Sequence, residues 1–159
     1  MSEFSQIIRR SLRSPTKVAI LSVFLLGLWL VADGVWIKGK AIVAQVMLDR
    51  AFVTASSGNP VKPWAWADMQ PIAKISAPRL KQSNVVLNNT SGEALAFGPG
   101  HLPGTPMPGE FGTTVFSAHR DTHFRWLGDL QKGDIIEVQR VNGVKMRYKM
   151  QGAWVANAS

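Results

Sequence analysis

Residues Val18 to Ile37 read VAILSVFLLGLWLVADGVWI, twenty positions with a single charge, Asp33, and no other stretch restricts the folding of this chain as strongly. At about 1.5 Å of rise per residue, such a run forms a helix that spans the ~30 Å hydrocarbon core of a bilayer. A cleaved signal peptide and a buried core helix are the competing readings. The run exceeds the roughly 7–15 residues of a signal-peptide apolar region, and no clear small-x-small cleavage site follows it, Val43-Ala44 being a weak one. Arg9, Arg10, Arg13 and Lys17 precede it against one acid, Glu3, and basic flanks stay in the cytoplasm. Lys38 and Lys40 pull slightly the other way. The prediction is a single-pass anchor at 18–37, a cytoplasmic N-terminus at 1–17, and an exported remainder.

The net charge of +8 raises the question of nucleic acid, so its location matters. Residues 1–40 hold six Lys/Arg against two acids and residues 41–159 hold twelve against eight, +4 in each part. Lys145, Arg147 and Lys149 alternate with Val144, Met146, Tyr148 and Met150, the period of a strand with one wet face rather than a phosphate-binding stripe. No nucleic-acid module signature accompanies it, and no nucleic-acid partner is predicted. The absence of cysteine excludes a disulfide scaffold.

Apolar residues at Ile42, Val43, Val46, Met47, Ala51 and Phe52 are close to helical spacing and predict a stalk helix stopped by Ser56-Ser57-Gly58-Asn59-Pro60. The stretch from Pro60 to Pro71, with Trp64 and Trp66, completes a stalk and linker over 38–70; its tryptophans suit either a membrane interface or packing on the domain. From Ile72 onward, short β-type runs alternate with Gly, Pro and Asn. Predicted strands are Ile72–Ser76, Asn84–Leu87, Thr113–Ala118, Ile135–Val141 and Val144–Val155. Asn142-Gly143 predicts a type I′ hairpin. Ser91–Phe97 reads as a short helix, and Gly98–Gly109, with four prolines, as an ordered loop.

His119 follows the run Thr113–Ala118, where a strand ends and a loop begins, a position that is both fixed and accessible. A lone histidine there is more often structural than functional. His119-Arg120-Asp121 also matches the opening of a kinase catalytic loop, but Trp126 stands where the metal-holding asparagine belongs. A metal site built from His119, Asp121, His123 and His101 uses acceptable ligand types, although their spacing on a loop does not make them converge.

The linked string FGPGHLPGTPMPGEFGTTVFSAHRDTHFRWLGDLQKGDIIEV, within Ile72 to Val141, resembles the sortases: a GPGHLPGT loop, a PGE turn, an apolar strand, an H-R-D-T-x-F loop, and L-x-x-G-D before a strand. The AHRDTHF version and the stalk are similar to forms found in Gram-negative marine proteobacteria. The resemblance implies a mainly β fold, an eight-stranded barrel behind an N-terminal transmembrane helix, with a His, Cys and Arg site. Its chemistry is cysteine transpeptidation: a thiolate attacks a carbonyl in an LPxTG-like sorting signal of a secreted protein, and an acceptor amine resolves the acyl-enzyme. His119 is then the general acid/base, with His101, Arg120, Asp121 and Thr122 as candidates for lining the site and Asp121 as a candidate to bias the imidazole. No cofactor is called for.

The departure from that pattern is large. The T-L-x-T-C strand and the later arginine of the family have no counterpart here, and Arg120, Arg125, Arg140 and Arg147 stand in the wrong segments to replace the arginine. The expectation is an incomplete barrel over 71–159, inactive by itself, ending at Asn157-Ala158-Ser159 in the manner of a fragment. The alternative is a non-catalytic, membrane-anchored β-module that binds peptide along an open sheet edge.

Overall fold

The computed structural model describes residues 15–55 and 61–154, in two compact units divided between Ile42 and Val43. Helix α1 runs unbroken over Pro15–Ala55. Pro15 suits a helix start, where its missing N–H is not needed, and no further proline follows until Pro60. The anchor and stalk anticipated as separate segments are thus one helix. Its first part is apolar on every side, with a mean hydropathy of 2.3 in its most apolar window, long and apolar enough to cross a membrane. The basic cluster Arg9, Arg10 and Arg13, the stop at 56–60 and the end of the last predicted strand at Val155 lie outside the described residues.

Past Val43 the helix becomes amphipathic. Ala44, Leu48, Ala51, Phe52 and Ala55 recur at helical spacing and are buried, with Leu48 0% and Phe52 5% exposed. Of the apolar residues that predicted the stalk helix, Ala51 and Phe52 are buried while Ile42, Val43, Val46 and Met47 are exposed. The register is set by polar contacts as well as by Leu48 and Phe52: Gln45 Nε2 donates to the Phe97 carbonyl at 2.7 Å and Asp49 Oδ1 meets Lys74 Nζ at 2.9 Å. Residues 43–55 are therefore part of the folded domain.

That domain is built on a six-stranded open sheet ordered β4-β3-β2-β1-β5-β6: β1 Pro71–Ala77, β2 Gln82–Leu87, β3 Gly100–His101, β4 Phe116–Ser117, β5 Ile135–Arg140 and β6 Lys145–Lys149. Only the β2–β3 pair is parallel. One face of the sheet packs Val85 and Leu87 against Leu48, Phe52, Ala67, Met69 and Ala94. The other packs Ala73, Ile75, Ala77, Val86 and Val138 against Phe124 and Trp126. Trp64 packs edge-on to Phe97 with centroids 4.9 Å apart, whereas Trp66 is exposed.

The Asn142-Gly143 hairpin forms, but not as a two-residue type I′ turn. The Gly143 N–H bonds the Arg140 carbonyl and the Arg140 N–H bonds the Val144 carbonyl, while only Gly143 has positive φ (83°). This is a three-residue loop in which a turn is followed by a left-handed glycine; Asn142 instead uses its side chain, whose Oδ1 accepts from Val144 N.

Ahead of β5, Leu130-Gln131-Lys132-Gly133-Asp134 forms a turn closed by Asp134 N–H to the Gln131 carbonyl at 3.0 Å, with Gly133 at φ 97°. Asp134 then receives Arg79 in a two-pronged pair, Nε–Oδ1 at 2.7 Å and Nη2–Oδ2 at 2.6 Å. Arg79 lies in a short 3₁₀ turn, Pro78–Leu80, and also donates to the Asp129 carbonyl. These bonds, with the Gln131 N–H, lower the Asp134 pKa to about 2.

Two measurements check this account. Leu48→Ala lowers the unfolding free energy of the full chain in detergent by about 2–5 kcal/mol, the usual cost of a buried leucine, whereas a helix outside the core would lose almost nothing. For the clamp, a carboxylate with a depressed folded pKa adds stability above its unfolded pKa of about 3.9, and that stability is lost as pH falls towards 2. The stability gap between wild type and Asp134→Asn in urea titrations is thus full at neutral pH and narrows between about pH 4 and 2; a constant gap disproves the assignment.

Candidate active site

The site region starts where β3 pairs in parallel with β2. Leu87 N–H donates to the Pro99 carbonyl at 2.8 Å, and Gly100 lies opposite Leu87. A Cβ at Gly100 would collide with the backbone carbonyl of Asn89, so only glycine allows this approach. Helix α2, Gly92–Phe97, precedes it and is capped by Ser91, whose hydroxyl accepts from Ala94 N.

The proline-glycine pairs of the next loop are turn chemistry. Leu102-Pro103-Gly104-Thr105 closes with Thr105 N–H to the Leu102 carbonyl, and Met107-Pro108-Gly109-Glu110 with Glu110 N–H to the Met107 carbonyl. Gly104 (φ 84°) and Gly109 (φ 88°) each follow a proline, which is the type II arrangement. Glu110 Oε2 also accepts from Met107 N, and Gly109 N–H reaches the Tyr148 hydroxyl on β6. Because the chain turns at Pro103, β3 offers β4 few partners. The predicted strand Thr113–Ala118 is therefore reduced to Phe116–Ser117, extended by one bond from Leu102 N–H to the Val115 carbonyl.

His101 is held inside this loop at 7% exposure. Its Nε2 lies 3.1 Å from the Pro106 carbonyl and 3.0 Å from Thr105 Oγ1. The single Thr105 hydroxyl hydrogen is directed to the Leu102 carbonyl at 2.8 Å, so the imidazole must be the donor to both oxygens. His101 organises the loop, and Phe116 covers it edge-on at 5.9 Å.

His119 follows β4 and starts a tight turn. Its carbonyl accepts from Thr122 N and Phe124 N, each at 3.3 Å, and from the Thr122 hydroxyl at 3.5 Å. Phe124 and Trp126 then drive into the sheet face, with Trp126 Nε1–H donating to Asn84 Oδ1 at 2.8 Å. The His119 imidazole is exposed and makes no hydrogen bond to the other described residues. Its backbone is thus fixed by a core element while its ring stays open to solvent.

The neighbouring residues take other roles. Asp121 lies 3.6 Å from Arg120, with both side chains about nine-tenths exposed (89% and 92%), a pair worth little in water. The Asp121 carboxylate makes no hydrogen bond to the His119 imidazole. Thr122 bonds within the turn. His123 Nε2 lies 3.3 Å from the Ala96 carbonyl. The three histidines are directed to different places, and among the described residues no three of His, Cys, Asp or Glu gather as metal ligands. The Arg79–Asp134 clamp and the Trp126–Asn84 bond escaped sequence reasoning, since nothing local marks partners 55 and 42 residues apart.

Comparison with known proteins gives the family from sequence and a matching fold from structure. The family model described as the sortase domain matches residues 75–159. Sortase D of Bacillus subtilis strain 168 is 37% identical over 60 residues, which cover 38% of this chain and 30% of that protein. Sortase E from Streptomyces avermitilis is 31% identical over 43% of this chain and 49% of its own, with a TM-score of 0.41. The chain thus spans under half of these two relatives. A Clostridium perfringens sortase D5 transpeptidase matches in fold over 69% of this chain and 72% of its own, with a TM-score of 0.53 at 22% identity. That likeness supports a sortase-like, mainly β fold for this chain, a curled six-stranded sheet preceded by helix. With more than half of its length inside the domain match, this chain belongs to the sortase family.

Proposed function

We propose that this chain supplies the histidine side of a membrane-anchored cysteine transpeptidase. The observation that supports the reading most is the state of the three histidines: within the segment matching the sortase domain, His119 alone combines a core-anchored backbone with an unengaged, exposed ring. In the reaction, a cysteine thiolate adds to a carbonyl of an LPxTG-like sorting signal. The scissile amide nitrogen leaves with a proton from the His119 imidazolium, forming a thioester. An acceptor amine then attacks the thioester, gives its proton to His119 and releases the thiolate. The 159 residues contain no cysteine, so the thiol of this reading is not among them. His101, Arg120, Asp121 and Thr122 are loop-building or solvated groups beside His119 in this reading.

The apolar part of α1 serves as the anchor, with residues 1–17 in the cytoplasm and the sheet domain on the far side, the periplasm in a Gram-negative cell. Substrates are secreted proteins bearing the sorting signal.

A second reading, a peptide-binding module without catalysis, draws support from β6, which has one sheet neighbour among the described residues. Sequencing the coding region after Ser159 separates the two: T-L-x-T-C and a later arginine in frame carry the transpeptidase reading, and a stop codon leaves the binding module.

Two predictions follow from the chemistry and the anchor. In a form extended to include the thiol, His119→Ala lowers transpeptidation by roughly 10²–10⁴-fold, the usual worth of a general acid/base, with circular dichroism unchanged. His123→Ala costs far less, under about tenfold on the same scale. Full activity in His119→Ala defeats the reading, while equal loss in both variants together with chelator sensitivity points to a metal site instead. For topology, alkaline phosphatase fused after Ser159 is active and a cytoplasmic reporter at the same place is silent; the reverse pattern overturns the orientation.

A further inference from the structure

The His119 turn carries one contact that neither its own backbone bonds nor the core explains. His123 Nε2 sits 3.3 Å from the Ala96 carbonyl, 27 residues earlier at the end of α2. A carbonyl can only accept, so the ring nitrogen carries the hydrogen and donates. The next carbonyl, of Phe97, accepts from Gln45 of α1, and that of Ala94 accepts from Gly98 N. The last carbonyls of a helix have no donors within it. In α2 those of Ala96 and Phe97 are met by side chains from two other elements.

The two ends of the His123 contact differ in firmness. α2 is a fixed post: Ser91 caps it, Ala94 is fully buried beneath it and Phe97 packs on Trp64. The turn meets the core at the His119 carbonyl and Phe124, but through bonds of 3.3–3.5 Å, and between those points Arg120, Asp121 and Thr122 are exposed, as is His119 itself. Between β4 and the buried Phe124, His123 is the residue whose side chain ties the turn to another element among the described residues.

We propose that His123 is a positioning residue: its Nε2–H latches the 119–124 turn to the Ala96 carbonyl and thereby fixes where the His119 ring points. Its importance to catalysis rests on the reading of His119 as proton carrier, but the latch itself is measurable without any reaction.

The test uses the full 159-residue chain in detergent micelles, with amide hydrogen exchange and the His119 imidazole carbon–proton resonance read by NMR. His123→Ala speeds exchange of the Thr122 and Phe124 amides about three- to tenfold, the range for losing one hydrogen bond, while β1 and β2 amides keep their rates. His123→Gln restores slow exchange, because its Nε2 extends as far as the imidazole Nε2, and His123→Asn, which is shorter, does not. The His119 resonance moves in the Ala and Asn variants and returns in Gln. Unchanged exchange in His123→Ala, no rescue by Gln, or equal acceleration in β1 and β2 each overturns the latch. The functional reading fails on different data, full activity of an extended His119→Ala enzyme, whatever the exchange rates.

Discussion

Val85, Val86 and Leu87 alternate across β2 and are all buried, so this central strand needs cover on both faces that the sheet alone does not supply. Residues 44–55 of α1, with Met69 and Ala94, cover one face, and Phe124 with Trp126 cover the other. The second cover belongs to the segment that begins at His119. Burying each aromatic there is worth about 1.5–3 kcal/mol, which offsets part of the chain entropy lost in the turn that leads into them. The Trp126 N–H to Asn84 bond meets the remaining polar requirement of that burial. His119 gains an anchored carbonyl in this way without its ring becoming buried.

The glycines and prolines of the family string answer to a separate constraint, how a chain reverses in few residues beside a parallel strand. Gly104, Gly109 and Gly133 all adopt positive φ at the third position of a hydrogen-bonded turn, and two of them follow proline. Gly100 meets a stricter demand, since the Asn89 carbonyl occupies the space of a Cβ. Most of the string that identifies the family is thus scaffold. Asp134, which reads as part of a motif, is the receiver of Arg79 and ties the start of β5 to the end of β1.

Features decided within a few residues were legible in the sequence. The short helix at 91–97, the long strands β1, β2 and β5, the hairpin and the apolar helix all follow from local pattern. Features decided across the chain were not. The period of α1 beyond Val43 fits more than one stripe, and only Leu48 against β2 and Gln45 against Phe97 select the one that is buried. The type I′ turn was misjudged because Asn142 prefers to accept from Val144 N with its side chain, leaving positive φ to Gly143 alone. The strand before His119 shrank because its partner turns away at Pro103. In the region of the family string, the position of His119 just after a strand follows from local pattern, while the commitments of His101 and His123 depend on carbonyls brought near by folding.

Those commitments separate three residues of identical chemistry. An imidazole that must both give and accept a proton during a reaction needs a ring nitrogen with no fixed partner, because a hydrogen bond that holds one protonation state opposes the other. His101 donates to Pro106 and Thr105 from a buried position, and releasing it would leave the Pro106 carbonyl without that partner inside the loop. His123 donates to Ala96, and that use of its Nε2–H is what ties down the turn. His119 invests its carbonyl, not its ring, in the same turn. The backbone of one histidine and the side chains of two others therefore divide the structural work, and the ring left over is the one exposed to solvent.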